Sequence, residues 1–158
     1  MSDDLEAAAA VEAIRSGDIA SLKHLLADHP GLATARIGPR TLLHVATDWP
    51  GHFPDGPGSV AVLIDAGADV NATFAGSHSE TPLHWAASSD DVAVLDVLLD
   101  KGADIEATGA VIGGGTPLAD AVAFGQWKAG ATAGRKRGPH DALAGCGAWT
   151  GRAGRSAL

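Results

Sequence analysis

The chain predicts an all-α stack of helix-turn-helix units, and three observations carry that prediction. An opening motif recurs, as Thr41-Leu42-Leu43-His44-Val45-Ala46, Thr81-Pro82-Leu83-His84-Trp85-Ala86 and Thr116-Pro117-Leu118-Ala119-Asp120-Ala121. A closing motif recurs too, as Gly67-Ala68-Asp69-Val70-Asn71-Ala72 and Gly102-Ala103-Asp104-Ile105-Glu106-Ala107. Between opening and close runs an apolar stripe at helical spacing, clearest in Val94, Leu95, Leu98 and Leu99. Modules repeated in this way bury their apolar faces against their neighbours.

In chain order, residues 8–35 read as a degenerate first unit, with Val11, Ile14, Ile19, Leu22, Leu25 and Leu26 around a Gly17-Asp18 turn and an outer face polar enough for a terminal cap. Residues 36–72 form the second unit, and 73–107 the third, which fits the pattern without a gap. There Thr81 caps the first helix, Pro82 sits at a helical position where its missing N–H costs nothing, and Leu83, Trp85, Ala86 and Ala87 face neighbouring helices. Gly102 ends the second helix where a left-handed backbone is needed. Thr41 and Thr81 lie 40 residues apart and Thr81 and Thr116 lie 35 apart; the five extra residues fall in Asp48 to Gly58, a Pro/Gly-rich stretch that reads as a loop.

The motifs resemble those of the ankyrin repeat family, whose unit is about 33 residues with a T-P-L-H-x-A signature. The resemblance covers roughly residues 8–128. It implies that His44 and His84 hydrogen-bond the threonine and backbone of their own turn, that finger loops of β-hairpin form join successive units, and that the protein is a non-enzymatic module for binding another protein. It further implies that finger tips and exposed ends of first helices along the concave face make the contact. Those positions are Arg36, Arg40, Thr47 and Asp48, then Ser77, His78, Glu80, Ser88 and Ser89, then Ala123 and Phe124. Trp49, His52 and Phe53 in the insertion supply aromatic bulk of the kind that anchors interfaces. The alternative for that loop is folding over its own repeat. Phe74 reads as finger packing. Acidic Asp48, Asp55, Glu80, Asp90 and Asp91 near this face favour a basic or polar partner surface.

The fourth unit, 108–128, is partial. After Lys128 the paired leucines of a second helix and the Gly-Ala terminator are missing, so residues 129–158 read as a disordered Gly/Ala/Arg-rich tail. Charge changes sign there: the tail carries about +4 and the body about −12, for a net −8. Arg135-Lys136-Arg137 would be the nucleus of a basic arm, and an out-of-frame end to a longer repeat protein is a further reading of the segment. The missing half-unit predicts that Leu118, Val122 and Trp127 face water, with fraying or self-association through that end.

The acidic body disfavours nucleic acid, since phosphate binding needs clustered Lys and Arg. No apolar run reaches membrane-span length, Ala7 to Ala10 is too short for a signal-peptide core, and the single Cys146 fits a reducing compartment, so a cytoplasmic location is expected. No catalytic or cofactor motif stands out. Asp48, His52 and Asp55, joined by His78, offer zinc or nickel ligand types, but their spacing matches no defined site, and a metal centre or metal-assisted enzyme there is the alternative function. Gly113-Gly114-Gly115 before a helix could hold an anion, but reads better as a finger tip.

Overall fold

A computed structural model describes residues 2–137 of the chain. Two layers of helices make a solenoid. The inner layer holds the first helix of each unit: α1 (Ser2–Ser16), α3 (Leu42–Ala46), α5 (Pro82–Ser88) and α7 (Pro117–Ala123). The outer layer holds the second helices: α2 (Ile19–Asp28), α4 (Gly56–Asp65), α6 (Val92–Asp100) and α8 (Trp127–Arg137). Each helix packs on its partner within the unit and on its equivalent in the next. A 3-10 turn, Pro30–Thr34, follows α2, and β1 (Arg36–Ile37) pairs antiparallel with β2 (Arg40–Thr41) to make the first finger.

The core runs the length of the stack. Ile14, Leu22, Leu42, Leu43, Val60, Leu63, Leu83, Leu95 and Leu98 are fully buried, with Ala86 and Ala87 letting the inner helices approach closely. The expected caps are in place. His44 Nδ1 accepts the Thr41 N–H at 3.3 Å and His84 Nδ1 the Thr81 N–H at 3.1 Å, closing a capping box in each unit. Gly67 and Gly102 hold φ of +105° and +95° beyond the second helices.

Three boundaries differ from the sequence reading. The first unit starts earlier, because α1 extends the alanine run back to Ser2. The insertion is a loop only as far as Asp55: Gly56-Pro57-Gly58 form the first turn of α4, where Pro57 lacks no bond it could have made. The third is a correction to the domain boundary at 128/129. Residues 129–137 are not tail but the larger part of α8, the missing second helix of the fourth unit. Ala129, Gly130, Ala133 and Gly134 stand 35 residues after Val94, Leu95, Leu98 and Leu99. Ala129 and Ala133 are buried, so small side chains keep the helix against the stack without the leucine stripe. The register is fixed by a repeated ion pair, Lys101 with Asp65 and Lys136 with Asp100. The nature of the remaining tail, with His140 and Cys146, lies outside the described residues.

Candidate partner-binding face

Three fingers stand side by side along one edge of the stack. The backbone joins them: Ala75 N–H donates to Pro39 O at 2.9 Å, and Ser79 N–H to Gly109 O at 3.3 Å. Arg36 is exposed, yet its guanidinium bonds Thr73 O at 3.0 Å and Pro39 O at 3.1 Å, tying the first finger to the second. Arg40 is paired with Asp48 at 2.8 Å. In the third finger Gly113 and Gly114 take φ of +70° and +67°, and Gly109 N–H to Gly114 O at 3.1 Å closes a tight turn. That turn lifts Val111 and Ile112 to 61% and 53% exposure.

At the base of the second finger lies an aromatic nest. His78 stacks on Phe74 at 4.3 Å between ring centroids, Phe74 is 5.7 Å from Trp85, and Trp85 meets His44 edge-on at 5.0 Å. Phe74 is indeed finger packing. Glu80 is buried inside this nest, accepting from Trp85 Nε1 and from Val111 N–H, each at 2.7 Å, with His78 Nδ1 3.3 Å away. Each capping histidine reaches the next finger through its other nitrogen: His44 Nε2 lies 3.0 Å from Glu80 O and His84 Nε2 3.2 Å from Gly115 O. Since Nδ1 accepts from threonine N–H, Nε2 carries the proton and donates. Burial pushes both imidazoles below their ordinary pKa, which keeps them neutral.

Beside Glu80 sits Asp120 of α7, at the place of Trp85 one unit on. It is 1% exposed, no donor reaches either carboxylate oxygen among the described residues, and the Glu80 carboxylate is its charged neighbour. Burial first, and the Glu80 charge second, raise its pKa to about 7. Nothing in the opening motif signals this, because it leaves the residue after its histidine position variable.

On the opposite edge the inserted loop crosses three units. Pro54 lies against Gly17 in the first turn, while Gly51, with φ +72°, packs on Ser89, where an added Cβ would come within 2.8 Å. His52 N–H donates to Asp91 Oδ2 at 2.7 Å and its ring Nε2 sits 3.2 Å from Ser89 O. The next turn continues the pattern: Ala129 N–H donates to Asp90 Oδ1 at 2.8 Å and Gln126 Nε2 to Ser88 O at 3.0 Å.

The candidate positions therefore divide. Arg36, Ser77 and His52 are exposed, Trp49 is 80% and Phe124 51% exposed, and Arg40, Asp48, Phe53, His78 and Ser88 are half-buried. Thr47, Glu80 and Ser89 are buried, which corrects their placement on the surface. Thr47 Oγ1 bonds Leu43 O at 3.0 Å, Glu80 serves the nest, and Ser89 lies under Gly51. Asp90 and Asp91 bond backbone N–H groups of neighbouring elements, so they offer a partner less charge than their sequence suggests. Asp48 and His52 are likewise committed to separate partners, and among the described residues no three His, Cys, Asp or Glu side chains group as a metal site. The exposed pair Val111 and Ile112 was missed, hidden by the glycines that follow it.

Stacked helix pairs joined by fingers define a repeat solenoid. A family model described as ankyrin repeats (3 copies) matches residues 8–109, and the chain belongs to the ankyrin repeat family, whose members are generally modules for protein–protein interaction. The match ends before α7, so the fourth unit lies beyond it. No individual curated protein matches the chain. No helix among the described residues is long and apolar enough to cross a membrane.

Proposed function

We propose that the protein is a non-enzymatic, cytoplasmic module that grips one partner protein with its fingers and the neighbouring ends of the inner helices. The observation that carries this reading is the finger edge itself. Three fingers share a base linked by backbone bonds and by the Arg36 guanidinium, while Ser77, Val111 and Ile112 stay exposed to meet a partner. Apolar finger tips beside a fixed frame suit recognition, since anchors that need no ordering lose little entropy on binding. Trp49, on the opposite edge, is a second anchor. Affinity capture from cells with the wild type, with Val111→Asp/Ile112→Asp, and with Lys23→Glu on the outer face tests it. A partner held by the wild type and Lys23→Glu but lost from the finger variant is expected; equal capture by all three refutes the reading.

A second reading concerns the C-terminal end. Val122, Phe124 and Trp127 are 57%, 51% and 75% exposed, and Val122 stands where the buried Ala87 stands one unit earlier. That face continues the interface between units, so self-association there, or a longer array from which this chain is an out-of-frame product, fits it. Reading the gene past the codon for Leu158 separates the two: a repeat-coding frame one base out of register identifies the longer array.

A further inference from the structure

We propose that Glu80 and Asp120 form a proton-controlled clasp between the third and fourth units: one proton shared by the two carboxyls holds α7 on the nest, and its loss lets the fourth unit open. Two carboxylates can bond each other only if one carries a proton. Glu80 already accepts from Trp85 Nε1 at one oxygen and from Val111 N–H at the other. Asp120, with no donor on either oxygen, is the acid of the pair. The clasp joins three segments at one point, because Glu80 precedes α5, Val111 belongs to the third finger and Asp120 lies in α7.

The group beside the pair that can carry positive charge stands on its Glu80 side. On the second finger His78 lies beside Glu80, and its ring is stacked on Phe74. On α5 the nearest titratable group is His84, whose two nitrogens are taken by Thr81 and Gly115. The third finger, 108–115, contains no ionisable side chain. On α8, Lys136 pairs with Asp96 and Asp100, Arg135 donates to Thr132, and Lys128 is exposed. Among the described residues no cation therefore pairs with Asp120 when it ionises. The charge then faces Glu80 in a buried site, and the relief available is for α7 and the third finger to separate from α5. Because the finger carries Val111 and Ile112, opening also displaces the exposed apolar tip.

Amide hydrogen exchange of the full chain at pH 5 to pH 8, corrected for intrinsic rates, tests the clasp. In the wild type, protection of residues 108–124 should fall about tenfold or more between pH 5 and pH 7 and level off above. Asp120→Asn removes the titration, so protection there should lose that fall while residues 42–65 behave as in the wild type. Equal pH dependence in the two proteins overturns the proposal. Should Asp120→Asn not fold, the carboxyl carbon of Asp120 is titrated in the wild type by NMR: a midpoint near 7 supports the clasp and one below about 5 overturns it.

Discussion

Single side chains here do two jobs at once. His44 and His84 each cap their own helix and reach the following finger, so loss of either imidazole removes a local and an interunit bond. We expect His44→Ala and His84→Ala each to cost about 2–3 kcal/mol in urea unfolding, since a buried acceptor is orphaned as well. Their pH behaviour opposes that of Asp120. A histidine whose folded pKa is lowered binds fewer protons folded than unfolded, so the stability it contributes is present above the ordinary histidine value and is lost as pH falls below it. Asp120, raised to about 7, binds more protons folded, so its contribution is full near pH 4 and declines as pH rises to about 7. Asp120→Asn is therefore expected to stabilise the protein at pH 8, by an amount on the order of 1–3 kcal/mol, and to do little at pH 4.5. Chemical denaturation at the two pH values reads the difference.

At the scale of elements, the weakest helix is α8. It holds its register through Lys136 and through Ala129 N–H on Asp90, but glycines occupy two places where its predecessor has leucines. Gly130 has room for a methyl group, with Ala121 Cβ at 3.8 Å and Leu118 Cδ1 at 3.9 Å from where its Cβ would stand, and Gly134 meets nothing. Gly130→Ala with Gly134→Ala should stabilise the fourth unit by about 1–2 kcal/mol, from helix propensity alone, measured as slower exchange of 117–137. The inserted loop behaves in the opposite sense. Asp91 caps α6 through Val94 N–H and also holds His52 N–H, so Asp91→Ala should cost about 2 kcal/mol and free the loop to proteolysis near Trp49.

For the whole molecule, stability is a sum of units and the interfaces between them. The third unit is covered on both sides by neighbouring units, whereas the fourth is covered on one side, buries alanines and leaves Val122, Phe124 and Trp127 in water. Unfolding should begin there, so 108–137 should lose protection at lower urea than 42–100. The same end should make the protein associate with itself as concentration rises, and Phe124→Glu with Trp127→Glu should shift sedimentation toward the monomer. A monomer at every concentration in the wild type would remove that reading.

Repetition made the stack legible in the sequence, because a threonine cap, a histidine three residues on and a glycine stop each have a local cause: an orphan N–H, an imidazole within reach of it, a left-handed turn. What depended on more than local pattern was decided only by tertiary structure. The insertion reads as loose from its prolines and glycines, but Gly51 and His52 find Ser89 and Asp91 nearly forty residues away. Residues 129–137 read as tail because they lack leucines, but alanines suffice for a helix when a neighbouring turn supplies Asp90 to hold its start. Glu80 and Asp120 lie forty residues apart and look like two ordinary surface acids; only the stacking of one unit on the next buries them together. Sequence set the unit and its caps, which are short-range hydrogen bonds, whereas the interfaces set burial and therefore charge, because the loss of water around a side chain depends on what the rest of the chain places over it.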